Sequence, residues 1–459
     1  MLGALMVGVL SWGVSPPSVT DCRIVASDLA SGNSSLTFPR LSRASAGAVL
    51  FGRTDAQGVS SLVRATLGGA RTLIASTLDA VPGEHNCSFA ALDGAADSPA
   101  GVVFRAHGDT PAGSLVPSFV GVYSGQSPNH VAVAETGVPM PSAPAGYAFG
   151  GFGVPAIADD GAVVFVANNE SSKKAGGSGK WRGIYQQQAD TRKLVKIVDT
   201  ADVHPVTGGK FTTIDSPSID RAAQSIAFFA SSPARGGGGG FADGLYAAML
   251  LPEPGPEERR RLVVVAEEGD PIPGFVPASL ERFADFTVPV ADATNASVVG
   301  FVGSDTGGGE GVYVGVLDVA SVRAVEVRKV AFAGNGVVTK VLGADGAEQS
   351  VQFLSFGQPP SVHAAARQVM FGAAADPPNA TGIYLAIDWG ATIFQVATLM
   401  PPPPGVEACD GTDAGFISLG IRDNSFGGDS SRFTYFGTSS HNSTIFTSEI
   451  KFSLPHRVA

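Results

Sequence analysis

An all-β repeat fold is predicted by three observations: a composition poor in helix formers and rich in Val, Phe, Gly and Pro, three families of short apolar segments, and a spacing of about sixty residues between their copies. The chain has 459 residues, 44% of them hydrophobic and only 15% charged, so it has the means to bury a large core. Its formal charge of −11 gives little attraction for a phosphate backbone or an anionic bilayer surface. Nucleic acid is therefore excluded as a partner class, and EERRR at Glu257–Arg261 reads as a solvated loop between outer strands.

The first segment family is an aliphatic run ending in Phe: AVLFGR at 48, GVVFRA at 101, AVVFVA at 162, SIAFFA at 225, VVGFVG at 298, QVMFGA at 368 and FTYFGT at 433. The second is a small or polar residue, an aliphatic and an aromatic, clearest as Gly121-Val122-Tyr123, Gly183-Ile184-Tyr185, Gly244-Leu245-Tyr246, Gly311-Val312-Tyr313 and Gly382-Ile383-Tyr384. Ser61-Leu62-Val63 and Thr444-Ile445-Phe446 complete it, and the seven starts are separated by 60, 62, 61, 67, 71 and 62 residues. The third is an apolar strand running into an acidic, Pro/Gly-rich turn, from Leu73, Val131, Val195, Val263, Arg328 and Phe394.

The seventh copy of this third family is displaced to Arg23, ahead of the first full unit, and no such strand follows Thr444–Glu449. A chain whose first strand completes its last sheet has no open seam. A further strand precedes each Phe run and often carries Pro two residues before an aliphatic, as at Pro39, Pro155, Pro217 and Pro360. Proline donates no ladder hydrogen bond, so it suits a strand with one free edge. Four strands per unit, seven units and the displaced strand predict a seven-bladed β-propeller closed by an N-terminal outer strand, with 3+1 closure in the last blade. The blades are expected at 33–83, 84–144, 145–208, 209–274, 275–342, 343–405 and 406–451, with the closing strand at 22–29 and one domain over 21–459. Six or eight blades stay open as alternatives, since the unit between Phe275 and Gly343 is the least regular. The core is expected between blades, built from the Phe runs and the second-family aromatics.

Read as V-A-[ED]-T/E, P-[IV]-P-G, F, P-S-I, an aliphatic run ending in Phe and G-[ILV]-Y, the unit resembles an uncharacterised family of extracellular propeller-like repeats common in bacteria. The resemblance is clearest at Val198–Ile219, Val264–Gly274 and Gly382–Tyr384, and implies a fold and export but no activity. The Trp-Asp signature of WD repeats and the double glycine of kelch repeats are absent.

Residues 1–20 read as a signal peptide, with the apolar run Met1–Val14 and small residues Ser18 and Thr20 before Asp21; no basic residue precedes the run, and a ragged N-terminus is the alternative. Asn33, Asn86, Asn169, Asn295, Asn379 and Asn442 each begin an Asn-x-Ser/Thr triplet, six of ten asparagines where composition supplies about 1.5. The excess points to N-glycosylation and an extracellular or secretory location, against the alternative that Asn and Ser/Thr share turns. Cys22, Cys87 and Cys409 are too few and too scattered for a zinc set or a disulfide framework. No other apolar run is long enough to insert into a membrane.

The connections between second and third strands, and from each fourth strand to the next unit, share one face of a propeller. On that face Glu135, Asp199, Glu267, Glu268 and Asp270 are candidates for a carboxylate ring at the channel mouth, the alternative being solvated turn acids. His204 and Trp181 are its isolated contact candidates. Asp410 and Asp413, and Asp423 and Asp429, are weak calcium candidates in Asp-rich loops without EF-hand spacing. No other cofactor is indicated. With no His-Glu-x-x-His, nucleophile elbow or phosphate loop, the expected function is a binding module for a protein or glycan partner. The alternative is a hydrolase or lyase using channel-mouth carboxylates, with or without a cation.

Overall fold

In the computed structural model the described residues are 18–27, 35–41, 48–66, 70–83, 87–108, 119–169, 181–233, 241–251, 260–273, 282–286, 289–293, 297–334, 336–343, 347–356, 359–398, 418–420, 432–438 and 443–451. Nearly all of them are strand or turn. The first strand, β1 (Ser18–Ser27), pairs with none of its immediate successors. The first sheet runs β2 (Ser35–Leu41), β3 (Ala48–Thr54), β4 (Ser60–Thr66) and β5 (Arg71–Ser76). The second runs β6 (Phe89–Ser98), β7 (Gly101–Gly108), β8 (Phe119–Gln126) and β9 (Asn129–Glu135).

In the third sheet the first position is split into β10 (Gly151–Phe152) and β11 (Ala156–Ile157), both paired with β12 (Val163–Asn168), followed by β13 (Arg182–Gln187) and β14 (Leu194–Asp199). The fourth is β15 (Thr213–Ile219), β16 (Ser225–Pro233), β17 (Phe241–Leu250) and β18 (Arg260–Glu267). The fifth splits its first position into β19 (Phe283–Phe286) and β20 (Val290–Ala293), then continues with β21 (Ser297–Asp305), β22 (Glu310–Val316) and β23 (Glu326–Ala333).

The sixth sheet contains β24 (Thr339–Leu342), β25 (Glu348–Ser355), β26 (Ser361–His363), β27 (Gln368–Asp376), β28 (Gly382–Ile387) and β29 (Thr392–Thr398). The last is β30 (Ser418–Gly420), β31 (Arg432–Thr438) and β32 (Ser443–Lys451), with β1 as its fourth strand. β1 lies antiparallel to β32, Ile24 opposite Phe446 and Ala26 opposite Ile445. The strand begins at Ser18, upstream of the expected 22–29 and of the expected cleavage at Asp21. The last sheet touches both neighbours, β30 lying beside β28 and β31 and β32 beside β2. The architecture is an all-β repeat of antiparallel meanders, propeller-like in its strand order.

One boundary differs from the expected units. Residues 339–342 pair with β25 and, through Leu342 and Phe394, with β29, so they belong to the sixth sheet rather than to the unit 275–342. Phe332, Ala333 and Gly334 stand here where the first four units carry an acidic turn, and the chain runs into the β24–β25 hairpin.

The core lies between sheets. Five apolar clusters fill the junctions from first-with-second to fifth-with-sixth. Side chains alternate across a strand, so neighbours serve opposite junctions: Phe104 joins the cluster shared with the first sheet and Val103 the cluster shared with the third. Burial on both faces is why the Phe runs are continuously apolar.

Each junction repeats one aromatic unit. A Phe at the entry to a sheet meets the third-strand Tyr edge to face: Phe89 on Tyr123 at 5.0 Å, Phe149 on Tyr185 at 5.1 Å, Phe211 on Tyr246 at 5.2 Å, Phe283 on Tyr313 at 5.0 Å and Phe353 on Tyr384 at 4.9 Å. The same tyrosines lie beside the Phe of the second strand, as Phe228 beside Tyr246 at 5.7 Å. All five tyrosines are fully buried. The Gly of Gly-x-Tyr makes room for the ring, because a Cβ on Gly244 would sit 2.8 Å from the Tyr246 hydroxyl and one on Gly121 2.6 Å from that of Tyr123. A bulge falls at the same place in each fourth strand, between the partners of Val122 and Tyr123 and of Leu245 and Tyr246.

Replacing Phe211 by Ala removes the ring that Tyr246 and Phe228 pack against. The expected loss is about 3–5 kcal/mol in equilibrium denaturation; a loss below about 1 kcal/mol would show that the junction does not rest on this ring.

Candidate functional site

The acidic turns are built for the fold. Asp79, Asp202 and Asp270 each accept, through Oδ2, the amide of the residue three before: Ser76 at 2.9 Å, Asp199 at 2.8 Å and Glu267 at 3.0 Å. Their own carbonyls then accept the amide of the entry Phe, from Phe89 at 3.1 Å, Phe211 at 3.3 Å and Phe283 at 3.1 Å. The turn therefore delivers the aromatic ring to the next junction.

The remaining expected acids are committed in similar ways. Glu135 accepts from the Tyr123 hydroxyl at 3.0 Å, and Glu268 accepts the Asp243 amide at 3.0 Å. Asp199 is fully buried, accepts the Ala201 amide at 2.8 Å and lies 3.3 Å from the Lys196 ammonium. Burial pushes its carboxyl above the ordinary 3.8, the nearby Asp202 charge adds to this, and the Ala201 amide and Lys196 oppose it. Glu267 is buried, takes the Tyr246 hydroxyl at 3.1 Å and pairs with Arg323 at 2.6 Å, which also holds Asp270 at 3.0 Å.

His204 is buried against Tyr246 instead of being presented to solvent. Its Nδ1 accepts two amides, from Val206 at 3.0 Å and Thr207 at 2.9 Å, which leaves Nε2 to carry the hydrogen and donate to Glu267. Three consecutive sheets are thus tied together by His204, Glu267 and Arg323. Trp181 is half-buried and packs on Tyr147 at 5.5 Å, and its amide donates to Asn169 Oδ1 at 2.7 Å. Arg260 and Arg261 correct the solvated-loop reading: they lie in β18 and donate to Gln186 at 3.0 Å and to the Ala320 carbonyl at 2.9 Å, respectively.

Asp410, Asp413, Asp423, Asp429, Asn33, Asn86, Asn295, Asn442 and Cys409 lie outside the described residues, and the Asn379 side chain is likewise not described. Among the described residues no group of three or more His, Cys, Asp or Glu side chains is placed to hold a metal ion, and no helix is long and apolar enough to cross a membrane.

The exposed chemistry lies elsewhere. A recess of about 460 Å³ opens where β13 of the third sheet, β15 and β16 of the fourth and β19 of the fifth meet. Arg182 begins β13 and Thr213 begins β15, so the recess sits at the strand ends joined by the second-to-third and fourth-to-first connections. Arg182 donates to Asp215 Oδ2 at 2.5 Å and to the Ile214 carbonyl at 2.5 Å, and both side chains remain a third to a half exposed. Thr213 donates to Ser231 Oγ at 2.6 Å, and Ser231 in turn donates to Asp243. Phe229 and Phe286 supply the apolar wall.

Ser216 is held at φ 52°, a left-handed value rare for a residue with a side chain, and its amide donates to Asp215 Oδ1 at 2.7 Å. The ladder slips one register between Asp215 and Ser218, which turns the carboxylate out of the sheet. Sequence reasoning missed these residues. The available signal was Asp-Ser inserted between the entry Phe and the Pro-Ser-Ile strand, a polar pair where the third unit has Gly153 and Val154.

Fold and recess together define an all-β repeat protein with a polar, aromatic-backed cleft at one end of its sheets. Residues 45–312 match the model of DUF7453, a family of unknown function; the match covers more than half of the chain, and the chain belongs to that family. No curated protein is similar to it in sequence. Among solved structures it is similar to the acylaminoacyl peptidase of Pyrococcus horikoshii, at 10% identity and a TM-score of 0.43, over 90% of this chain and 51% of that one. It is also similar to the β-propeller domain of the Trilobed protease from Pyrococcus furiosus, at 9% identity and 0.46, over 94% and 99% of the two chains. The Penicillium chrysogenum α-L-arabinanase matches at 11% identity and 0.36, over 78% and 94%.

The buried Asp199 carries a pH signature. Its folded form holds a proton more tightly than the unfolded chain, so the native state loses stability as pH climbs from 3.8 through the raised value, and the penalty is complete above it. Asp199→Asn removes that slope. In thermal melts the variant should gain on the wild type between pH 4 and pH 7; an equal difference at the two pH values would refute the assignment.

Proposed function

We propose that this protein is a secreted binding module, a seven-bladed propeller closed by its amino-terminal strand, that takes a neutral glycan in the recess around Arg182 and Asp215. Closure is supported by the pairing of β1 with β32 and by the contacts of the last sheet with the first and the sixth. Secretion is supported by the apolar N-terminal run and the six Asn-x-Ser/Thr triplets.

The observation that carries the binding reading is an exposed Arg182–Asp215 pair with hydroxyls at Thr213 and Ser216, in a concavity backed by Phe229 and Phe286. Its volume lies in the range of small-ligand sites. A guanidinium and a carboxylate side by side offer parallel donors and acceptors to neighbouring sugar hydroxyls, and a phenyl face covers the C–H side of a pyranose ring. The pair is neutral overall, so it favours an uncharged ligand. The acids that a hydrolase or lyase would use, Glu135, Asp199, Glu267 and Asp270, are engaged in turns and inter-sheet pairs.

A glycan array of neutral oligosaccharides probed with the wild type and with Asp215→Asn tests the reading. Removing the carboxylate charge should weaken binding about ten-fold or more, the worth of a charge-assisted hydrogen bond, with an unchanged melting temperature. An array without signal, or equal binding by the variant, would overturn it.

A further inference from the structure

The recess at Arg182 has a counterpart. A smaller one, about 170 Å³, lies between the first and second sheets, lined by Arg53 and Thr54 at the end of β3, by Ser60 and Ser61 at the start of β4, and by Asp93 and Gly94 of β6. Each has on its wall an acid at the same position of the repeat. Asp93 follows the entry Phe89 by the same four residues that separate Asp215 from Phe211.

The local backbone is also the same. Gly94 has φ 57° where Ser216 has 52°, and the ladder slips between Asp93 and Ala95 as it does between Asp215 and Ser218. Each carboxylate is turned out to meet an arginine: Arg105 reaches Asp93 Oδ2 at 2.8 Å, and both groups are about a quarter to a third exposed. Arg105 also donates to the Phe152 carbonyl at 2.9 Å, the position in the third sheet that Ile214 holds in the fourth, whose carbonyl accepts from Arg182. His107 Nε2 lies 3.1 Å from the same Asp93 oxygen. At the intervening junction Gly153 stands where the acid would be, and Val154 packs against Gly94.

We infer that the Asp93 recess is a second binding subsite for the same class of ligand, a neutral sugar unit, so that one protein molecule takes two. The inference rests on the proposed reading of the Arg182 recess. Its physical basis is the repeat: the bulge that re-aims an acid recurs in two of the sheets, and the recess on which each acid opens has an arginine and hydroxyls on its wall, Arg53, Ser60 and Ser61 at Asp93, and Arg182, Thr213 and Ser216 at Asp215.

Calorimetric titration with mannotriose, cellotriose and xylotriose, each against the wild type, Asp93→Asn and Asp215→Asn, tests it. A stoichiometry of two that falls to one in either variant supports the second subsite. A stoichiometry of one that only Asp215→Asn abolishes overturns it and leaves the Arg182 site standing. A stoichiometry of one that only Asp93→Asn abolishes removes the Arg182 site and leaves a single site at Asp93, which again overturns the pair. Absence of binding by all three sugars removes both. Hydrogen exchange on the wild type gives a readout independent of variant folding: the sugar that binds should slow exchange at 52–62, and an unchanged rate there would overturn the second subsite.

Discussion

The edge-to-face contact between an entry Phe and a third-strand Tyr is the constraint from which the other features follow. It recurs at five junctions with centroid distances of 4.9 to 5.2 Å. Aromatic pairs of this geometry add about 0.5–1.5 kcal/mol beyond the area they bury. The ring also dictates the residues around it: glycine two positions before the tyrosine, a bulge in the strand alongside and, at Tyr123, Tyr246 and Tyr384, Glu135, Glu267 or Gln395 bonded to the hydroxyl. A sheet with apolar residues on both faces has no stable solitary state, so each is stabilised only by its neighbours.

Acids in the connecting turns serve this arrangement. An aspartate that caps the turn through its side chain and receives the Phe amide through its carbonyl fixes where the next ring enters. In the second unit Val138 stands in place of the aspartate and its carbonyl still receives the Phe149 amide, whereas in the fifth, with Phe332 where Asp199 and Glu267 stand, the chain runs into the hairpin of β24 and β25. The polar recess arises where the first strand departs from regular pairing, at Asp215 and Ser216, and is held open by strain and by a guanidinium anchored to a backbone carbonyl. The two kinds of acid are therefore separated in space: the buried ones are engaged in turns and inter-sheet pairs, and the bulged ones face solvent.

Much of the fold was legible in the sequence, and the reason is physical. Strands buried on both faces write themselves as unbroken aliphatic runs, and a tyrosine that must lie over a glycine writes Gly-x-Tyr; the first signal marks the second strand of all seven sheets and the second the third strand of five. The displaced strand at Arg23 was visible as a unit missing at one end and present at the other. The site was far less legible. His204 looks like a free imidazole in Asp-Val-His-Pro-Val, yet two amides of its own loop and Glu267, 63 residues further along the chain, enclose it. Arg260 and Arg261 look like a charge run, but their hydrogen-bond partners come from neighbouring elements. Asp215 and Ser216 look like an ordinary turn, because a positive φ at serine leaves no mark in the sequence.

Closure of the ring by the amino-terminal strand is the claim on which the blade count and the grouping of loops depend. Native-state hydrogen exchange followed by mass spectrometry reads it directly. Peptides covering Ser18–Ser27 should exchange far more slowly than an unstructured peptide, at the alternate amides that face Ser443–Lys451. Exchange of 18–27 at the rate of an unstructured peptide, while 443–451 stays protected, would contradict the closed ring.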